Sequence, residues 1–171
     1  VGVWQPTPPA YANPLEPCWG RLRPFVIRSV HAFRAVPPPP YSEVPSSQFY
    51  AEAKEVYDVT RGLTQEQQAI AVYWADNPGQ TGTPPGYSMA LAGQILGDQK
   101  RDLAVADSFI ACWDTKYVYN LVRPVSYIRL VIDPDWVSPI TTTPFPEYSS
   151  GHSVQTAAPV EVLKSIFGDI A

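Results

Sequence analysis

At 171 residues the chain is long enough to bury a real core as one domain, and its net charge of −4 comes with no basic run that would mark a nucleic-acid binder. Apolar residues make up 45% and charged residues 16%, the balance of a soluble globular protein. No apolar stretch reaches the roughly 18–20 residues that a bilayer span needs, and the opening VGVWQPTPPAY lacks the basic and apolar regions of a signal peptide.

Many of the 20 prolines crowd the first 45 residues, ending in PPPP at 37–40. This predicts extended chain over residues 1–45, wrapped on a helical part over residues 46–171 of the same domain, with no linker or repeat between them. Cys18 and Cys112 are too few for a metal site or a disulfide framework. They are expected as two separate buried thiols, a single disulfide being the alternative in an exported protein.

Residues 47–60 place Phe49, Ala53, Val56, Tyr57 and Thr60 on a helical stripe, and Gly62 stands where a helix end favours positive φ. Thr64 and Gln67 form a capping box that opens QEQQAIAVYWAD, which should stop at Asn77-Pro78-Gly79. The turn GTPPGYS leads to a helix from about Met89 to Lys100. The longest periodic segment follows, from Asp102 to Val122, and Pro124 ends it near Arg123. VSYIRLVI is the one serious strand candidate. Ser153 to Phe167 reads as a last helix, with Pro159 in its early turns or at a kink. The fold class is all-α.

Two segments carry chemistry. Trp113, Lys116, Asn120 and Arg123 are spaced 0, 3, 7 and 10, which on a continuous helix leaves Lys116 and Arg123 about 20° apart in rotation. Two stacked cations repel unless an anion lies between them; the alternative is that each reaches solvent or a carboxylate such as Asp114. In PFPEYSSGHS, residues 144–153, Pro144 and Pro146 extend the backbone around Phe145. Gly151 allows close approach, and the amides of Gly151 and His152 open a helix beside the Ser150 hydroxyl. Such a helix start attracts an anion, and His152 is placed to exchange a proton with it. The alternative there is a capping serine and a packed histidine.

Taken together, a lysine, six residues, Arg-Pro, and a downstream Ser-Gly-His resemble the first two signatures of the vanadium-dependent haloperoxidases, which share a fold with type 2 phosphatidic-acid phosphatases and bacterial acid phosphatases. IACWDTKYVYNLVRPVSYIR resembles the surroundings of the first signature. PFPEYSSGHS resembles the family's PFPxYPSGHS, with Ser149 in place of proline. WADNPGQTGTPPGY and WQPTPPAYANPLEPCWGRLRPF are similar to further parts of the family, so the likeness covers nearly the whole chain. It implies a helical bundle in which Lys116, Arg123, the Ser150 hydroxyl and the Gly151 amide hold vanadate, or phosphate in the same cage, with His152 as the acid–base group. Trp113 and Phe145 match positions lining the halide side, and Asp76 an acidic position that sets the charge of the histidine. One cage of this kind suits either oxyanion, because both spread charge over equatorial oxygens.

The family's third signature, an arginine and then the histidine that ligates vanadium or attacks phosphorus, has no counterpart in SVQTAAPVEVLKSIFGDIA. The other histidine, His31, is expected at a surface or interface. The resemblance therefore implies an incomplete bundle, completed by the remainder of a longer polypeptide or by a second chain, with a homo-oligomer as the expected assembly. It further implies hydrogen peroxide and halide as substrates and a secreted or periplasmic location. A phosphatase acting on phosphomonoesters or lipid phosphates is the same-fold alternative, and a non-catalytic oxyanion-binding relative is the alternative of another class.

Overall fold

The computed structural model describes residues 2–76, 81, 83, 86, 87 and 100–168. Five α-helices run through them: α1 (Gln48–Arg61), α2 (Gln65–Tyr73), α3 (Lys100–Tyr119), α4 (Pro124–Val131) and α5 (Gly151–Phe167). Residues 2–47 contain no α-helix, only 3₁₀ turns at Trp19–Arg21 and Val30–Phe33. Among the described residues there is no strand, only an isolated antiparallel bridge between Val3 and Leu121. The all-α class expected from the periodicities is the class observed. The helix predicted from Met89 lies outside the described residues up to Lys100. Of the GTPPGYS turn, Thr83, Gly86 and Tyr87 are described, and Thr83 accepts both the Gly86 and the Tyr87 amides.

The contacts divide the chain into two compact units. Unit 1 comprises Val1–Pro17, Val36–Ala75 and Lys116–Tyr148; unit 2 comprises Cys18–Ala35, Asp76–Thr115 and Ser149–Ala171.

In unit 1, α1 packs on α4. Phe49 and Ala53 meet Tyr127, while Val56 and Tyr57 lie against the cluster of Val125, Ile128 and Trp136. The expected stripe of α1 thus faces its partner. That partner is VSYIRLVI, which is helical rather than a strand. Pro124 sits at the first helical position, where its missing N–H costs nothing, and Val125, Tyr127 and Ile128 are buried on helical spacing. Ser47 caps α1, which the sequence reading did not single out, and the Thr64–Gln67 capping box opens α2 as expected. Two helix ends differ from expectation. Gly62 has φ −99, because its amide closes a tight bond to the Val59 carbonyl and needs no left-handed turn. α2 stops at Tyr73, where the amides of Trp74 and Ala75 tighten onto Ile70 and Val72. Tyr117 and Tyr127 donate their hydroxyls to the carbonyls of Leu15 and Ser42, both at 2.6 Å, tying the proline-rich segment to the helices. Burial pushes the Tyr117 hydroxyl up to about 12, so it remains a donor at neutral pH.

α3 also ends early, at Tyr119 rather than Val122. Asn120 takes a left-handed conformation (φ 47), which a short polar side chain tolerates. Its carbonyl then accepts the Trp4 amide at 2.8 Å, and Val122 donates to the Gly2 carbonyl at 3.1 Å.

In unit 2, the arm 18–35 lies along α3, with Val30 and Ile27 against Ile110 and Ala111. Asp107, 3% exposed, accepts the amides of Phe25, Val26 and Ile27 at 2.6, 2.7 and 2.9 Å. Seven residues on, Asp114 holds Arg34 at 2.8 Å and His31 at 3.3 Å. Gly20 fits because it has no side chain: a Cβ there would lie 2.4 Å from the Asp114 backbone nitrogen. Cys18 is exposed and Cys112 buried, and the two are not joined in a disulfide; the expectation of two buried thiols holds for Cys112 only. Pro159 is not in the early turns of α5. It is the ninth of 17 residues and buried, so the Gln155 carbonyl lacks its ladder donor.

Candidate functional site

The residues singled out by sequence fall into two groups, one in each unit. In unit 1, Lys116 lies in the last turn of α3 and is 1% exposed. Its ammonium donates to the carbonyls of Pro146 and Glu147 at 2.9 and 3.0 Å. Arg123, 9% exposed, is the residue that precedes α4. It donates from Nε to the Phe145 carbonyl (2.6 Å), from Nη1 to Glu147 Oε2 (2.6 Å) and from Nη2 to Thr143 Oγ1 (2.5 Å). Both cations approach the Phe145 ring, Lys116 Nζ at 4.9 Å and Arg123 Cζ at 4.7 Å from its centroid.

The reason these cations meet is not the one their spacing suggested. Because Asn120 breaks α3, Lys116 and Arg123 do not share a helical face; the loop 143–147 gathers them instead. Asp114, considered as their carboxylate, belongs to Arg34 and His31. Glu147 serves Arg123, but its side chain is 40% exposed, so water screens that ion pair. The carbonyls of 145–147 are the firmer hold on the buried charge, as charge-assisted acceptors out of water's reach.

In unit 2, Ser150 caps α5. Its hydroxyl accepts the Ser153 amide at 3.2 Å and its carbonyl the Val154 amide at 3.2 Å. The amides of Gly151 and His152 precede that ladder, at the positive end of the helix dipole. His152 is exposed in the first turn. The Trp113 ring, 4% exposed, stacks on Phe109 (centroids 3.9 Å apart) and lies 6.4 Å from Trp19. It also approaches Gly151: a Cβ there would meet Trp113 Cζ3 at 3.8 Å, an ordinary contact, with no other described atom within 4 Å. Packing among the described residues does not require glycine at 151. Asp76 follows α2 in a left-handed conformation (φ 56) and is half-buried.

The ammonium and guanidinium of unit 1 and, separately, the serine hydroxyl and helix-leading amides of unit 2 are hard donors of the kind that suit charged oxygen. Sequence reasoning missed Thr143 and Glu147 as partners of Arg123. Ser149, noted only as standing in place of a proline, has its hydroxyl 3.5 Å from Cys112 Sγ and its carbonyl 3.9 Å from it, a contact not foreseen from the sequence. The Asp107/Asp114 heptad opposite a basic arm was the one sequence signal that could have revealed the unit 2 clamp.

Residues 100–138 match the family model described as the VCPO second helical-bundle domain. Among solved structures, the chain is similar to one described as the crystal structure of the first bacterial vanadium dependant iodoperoxidase. The two share 43% identity and a TM-score of 0.88, over 98% of this chain and 45% of that one. This chain therefore spans less than half the length of that protein. No curated protein matches it.

Proposed function

Because the chain belongs to the vanadium haloperoxidase family, we propose that it forms part of an enzyme that binds vanadate and uses hydrogen peroxide to oxidise halide. The observation that carries this reading is the 43% identity to an iodoperoxidase over nearly the whole chain. Lys116 and Arg123 neutralise the charge of the bound oxyanion. The Ser150 hydroxyl, which now caps α5, and the Gly151 amide donate hydrogen bonds to it. His152 gives and takes the proton at the peroxide oxygen, and Trp113 and Phe145 exclude water from the halide side. Bound vanadate supplies a Lewis-acidic centre for peroxide. Residues 153–171 contain no arginine or histidine, so the ligating histidine comes from the remainder of a longer polypeptide or from a second chain. Export to the periplasm or the exterior, and self-association, belong to the same reading.

Iodide and bromide oxidation by the complete polypeptide, with and without vanadate, tests the activity beside a phosphomonoesterase assay. Vanadate should switch on the first and inhibit any trace of the second. A phosphatase inhibited by vanadate, with no halide oxidation, would replace this reading. His152→Ala should lower halide oxidation by about a hundredfold or more, within the range of general acid–base catalysis, and unchanged turnover would remove His152 from the mechanism.

A further inference from the structure

The loop that gathers the two cations of unit 1 also brings an anion to them. Glu147 is the one acidic residue in TTTPFPEYSSGHS, residues 141–153, and its carboxylate lies 2.6 Å from Arg123 Nη1. Its backbone is held on both sides. The Glu147 amide donates to the Leu121 carbonyl at 3.1 Å, and the Glu147 carbonyl accepts the Lys116 ammonium at 3.0 Å. The carboxylate is thus tethered beside the cations by bonds that do not depend on the ion pair itself.

A guanidinium offers N–H groups on Nε and two on each Nη. In Arg123, Nε donates to the Phe145 carbonyl, one N–H of Nη1 to Glu147 and one of Nη2 to Thr143. The second N–H on each Nη is what an oxyanion would take under the proposed function. An oxyanion seated there shares the Nη1 nitrogen with Glu147, so two negative groups accept from one atom. Their repulsion grows with the charge of the oxyanion, whereas the donors offered to it stay the same. With Glu147 counted, the positive charge of Lys116 and Arg123 is halved. A carboxylate in this place weakens the site for every oxyanion, and most for a doubly charged one, which is how a repulsive element confers specificity.

We propose that Glu147 sets the charge of the oxyanion this site accepts, favouring a singly charged tetrahedral anion over a doubly charged one of the same shape. Near neutral pH vanadate is mainly the singly charged dihydrogen form, while phosphate is partly and sulfate wholly doubly charged. Glu147 thereby favours vanadate over the commoner anions. This role rests on the assignment of Lys116 and Arg123 to oxyanion binding, and adds which anion they accept. The probes are perrhenate and tungstate, two tetrahedral anions that differ by one charge and take up no proton in mildly alkaline solution. Their binding to the complete polypeptide is measured by titration calorimetry, with vanadate as competitor. Glu147→Gln should tighten perrhenate about fivefold and tungstate about 25-fold, one factor for each charge across a half-exposed pair. The ratio of the two affinities then moves about fivefold toward tungstate. Glu147→Asp keeps the charge and should keep the wild-type ratio. The side chain is 40% exposed and glutamine still offers Nη1 an oxygen, so circular dichroism should show both variants folded. Equal tightening of both anions by Glu147→Gln, or none, while both still compete with vanadate, would overturn charge selection and leave the oxyanion site standing. A ratio shifted as far by Glu147→Asp as by Glu147→Gln would overturn it too, since shape rather than charge would then decide. If wild type and variants bind neither probe nor vanadate, the assignment of the two cations fails and the role of Glu147 fails with it.

Discussion

The two units immobilise a non-helical segment by the same device with the charges reversed. In unit 1, Lys116 and Arg123 reach into the loop 143–147 and take its carbonyls. In unit 2, Asp107 takes the amides of the arm at 25–27. A peptide segment offers either polarity, so a buried charge of either sign can replace a missing sheet or helix ladder. The difference lies in what else the charge can serve. A carboxylate engaged by three amides has little acceptor capacity left, whereas cations sharing one aromatic ring still present positive charge to an incoming oxyanion. On this comparison unit 2's clamp is structural, whereas under the proposed function unit 1's would double as a binding element.

The comparison breaks most readily at Asp107. Asp107→Ala strands three amides that the arm cannot turn to water without lifting from α3, and should cost about 3 kcal/mol in urea unfolding, with no effect attributable to oxyanion binding. Its pH dependence sharpens the point. Burial pushes the carboxyl up, but the amides of Phe25, Ile27 and Val26 together outweigh this and hold it below its ordinary value. The clamp's stability is therefore fully present above about pH 4 and fades as pH falls below it. The gap between wild type and Asp107→Asn should narrow from pH 7 to pH 3; a constant gap would mean that the carboxylate's charge does not matter.

Arg123→Met comes next, at about 2 kcal/mol, since half-exposed Glu147 can return to water while the Phe145 carbonyl cannot. Unlike Asp107→Ala, it should also abolish phosphate or vanadate protection against unfolding in the complete polypeptide. A loss of stability with protection retained would make unit 1's clamp as purely structural as unit 2's. Gly20→Ala pushes a methyl onto the α3 backbone at Asp114 and should cost about 2 kcal/mol through overpacking, read from the urea midpoint. The smallest effect is expected from Ser150→Ala, about 1 kcal/mol for a lost helix cap. Any larger loss of halide oxidation than that change explains would reveal the hydroxyl's second role.

α1 was legible in the sequence by its stripe, and the start of α2 by its capping box. VSYIRLVI was misread because eight residues are too few to separate a short buried helix from a buried strand; Pro124 at the first helical position was the deciding signal. The end of α3 was hidden because the pattern runs apolar through Val122, and only the left-handed Asn120 interrupts it. Within the candidate site, residue types and order were legible, since Lys116, Arg123 and the Ser-Gly-His run are local motifs. Their partners were not, because Thr143, Glu147 and the carbonyls of 145–147 are joined to the cations across 20 or more residues by a loop without periodicity.

The short bond pattern at Asn120 bears on how the chain is made. Gly2 and Trp4 find their backbone partners at Val122 and Asn120, so during synthesis these two residues stay unpaired until more than a hundred later ones have followed. At about 5–20 residues per second, that interval is about 6–24 s. The proline-rich stretch that contains them, poor in hydrogen-bond donors, is the kind of sequence that can pass such a delay without pairing to the wrong strand or to another nascent chain.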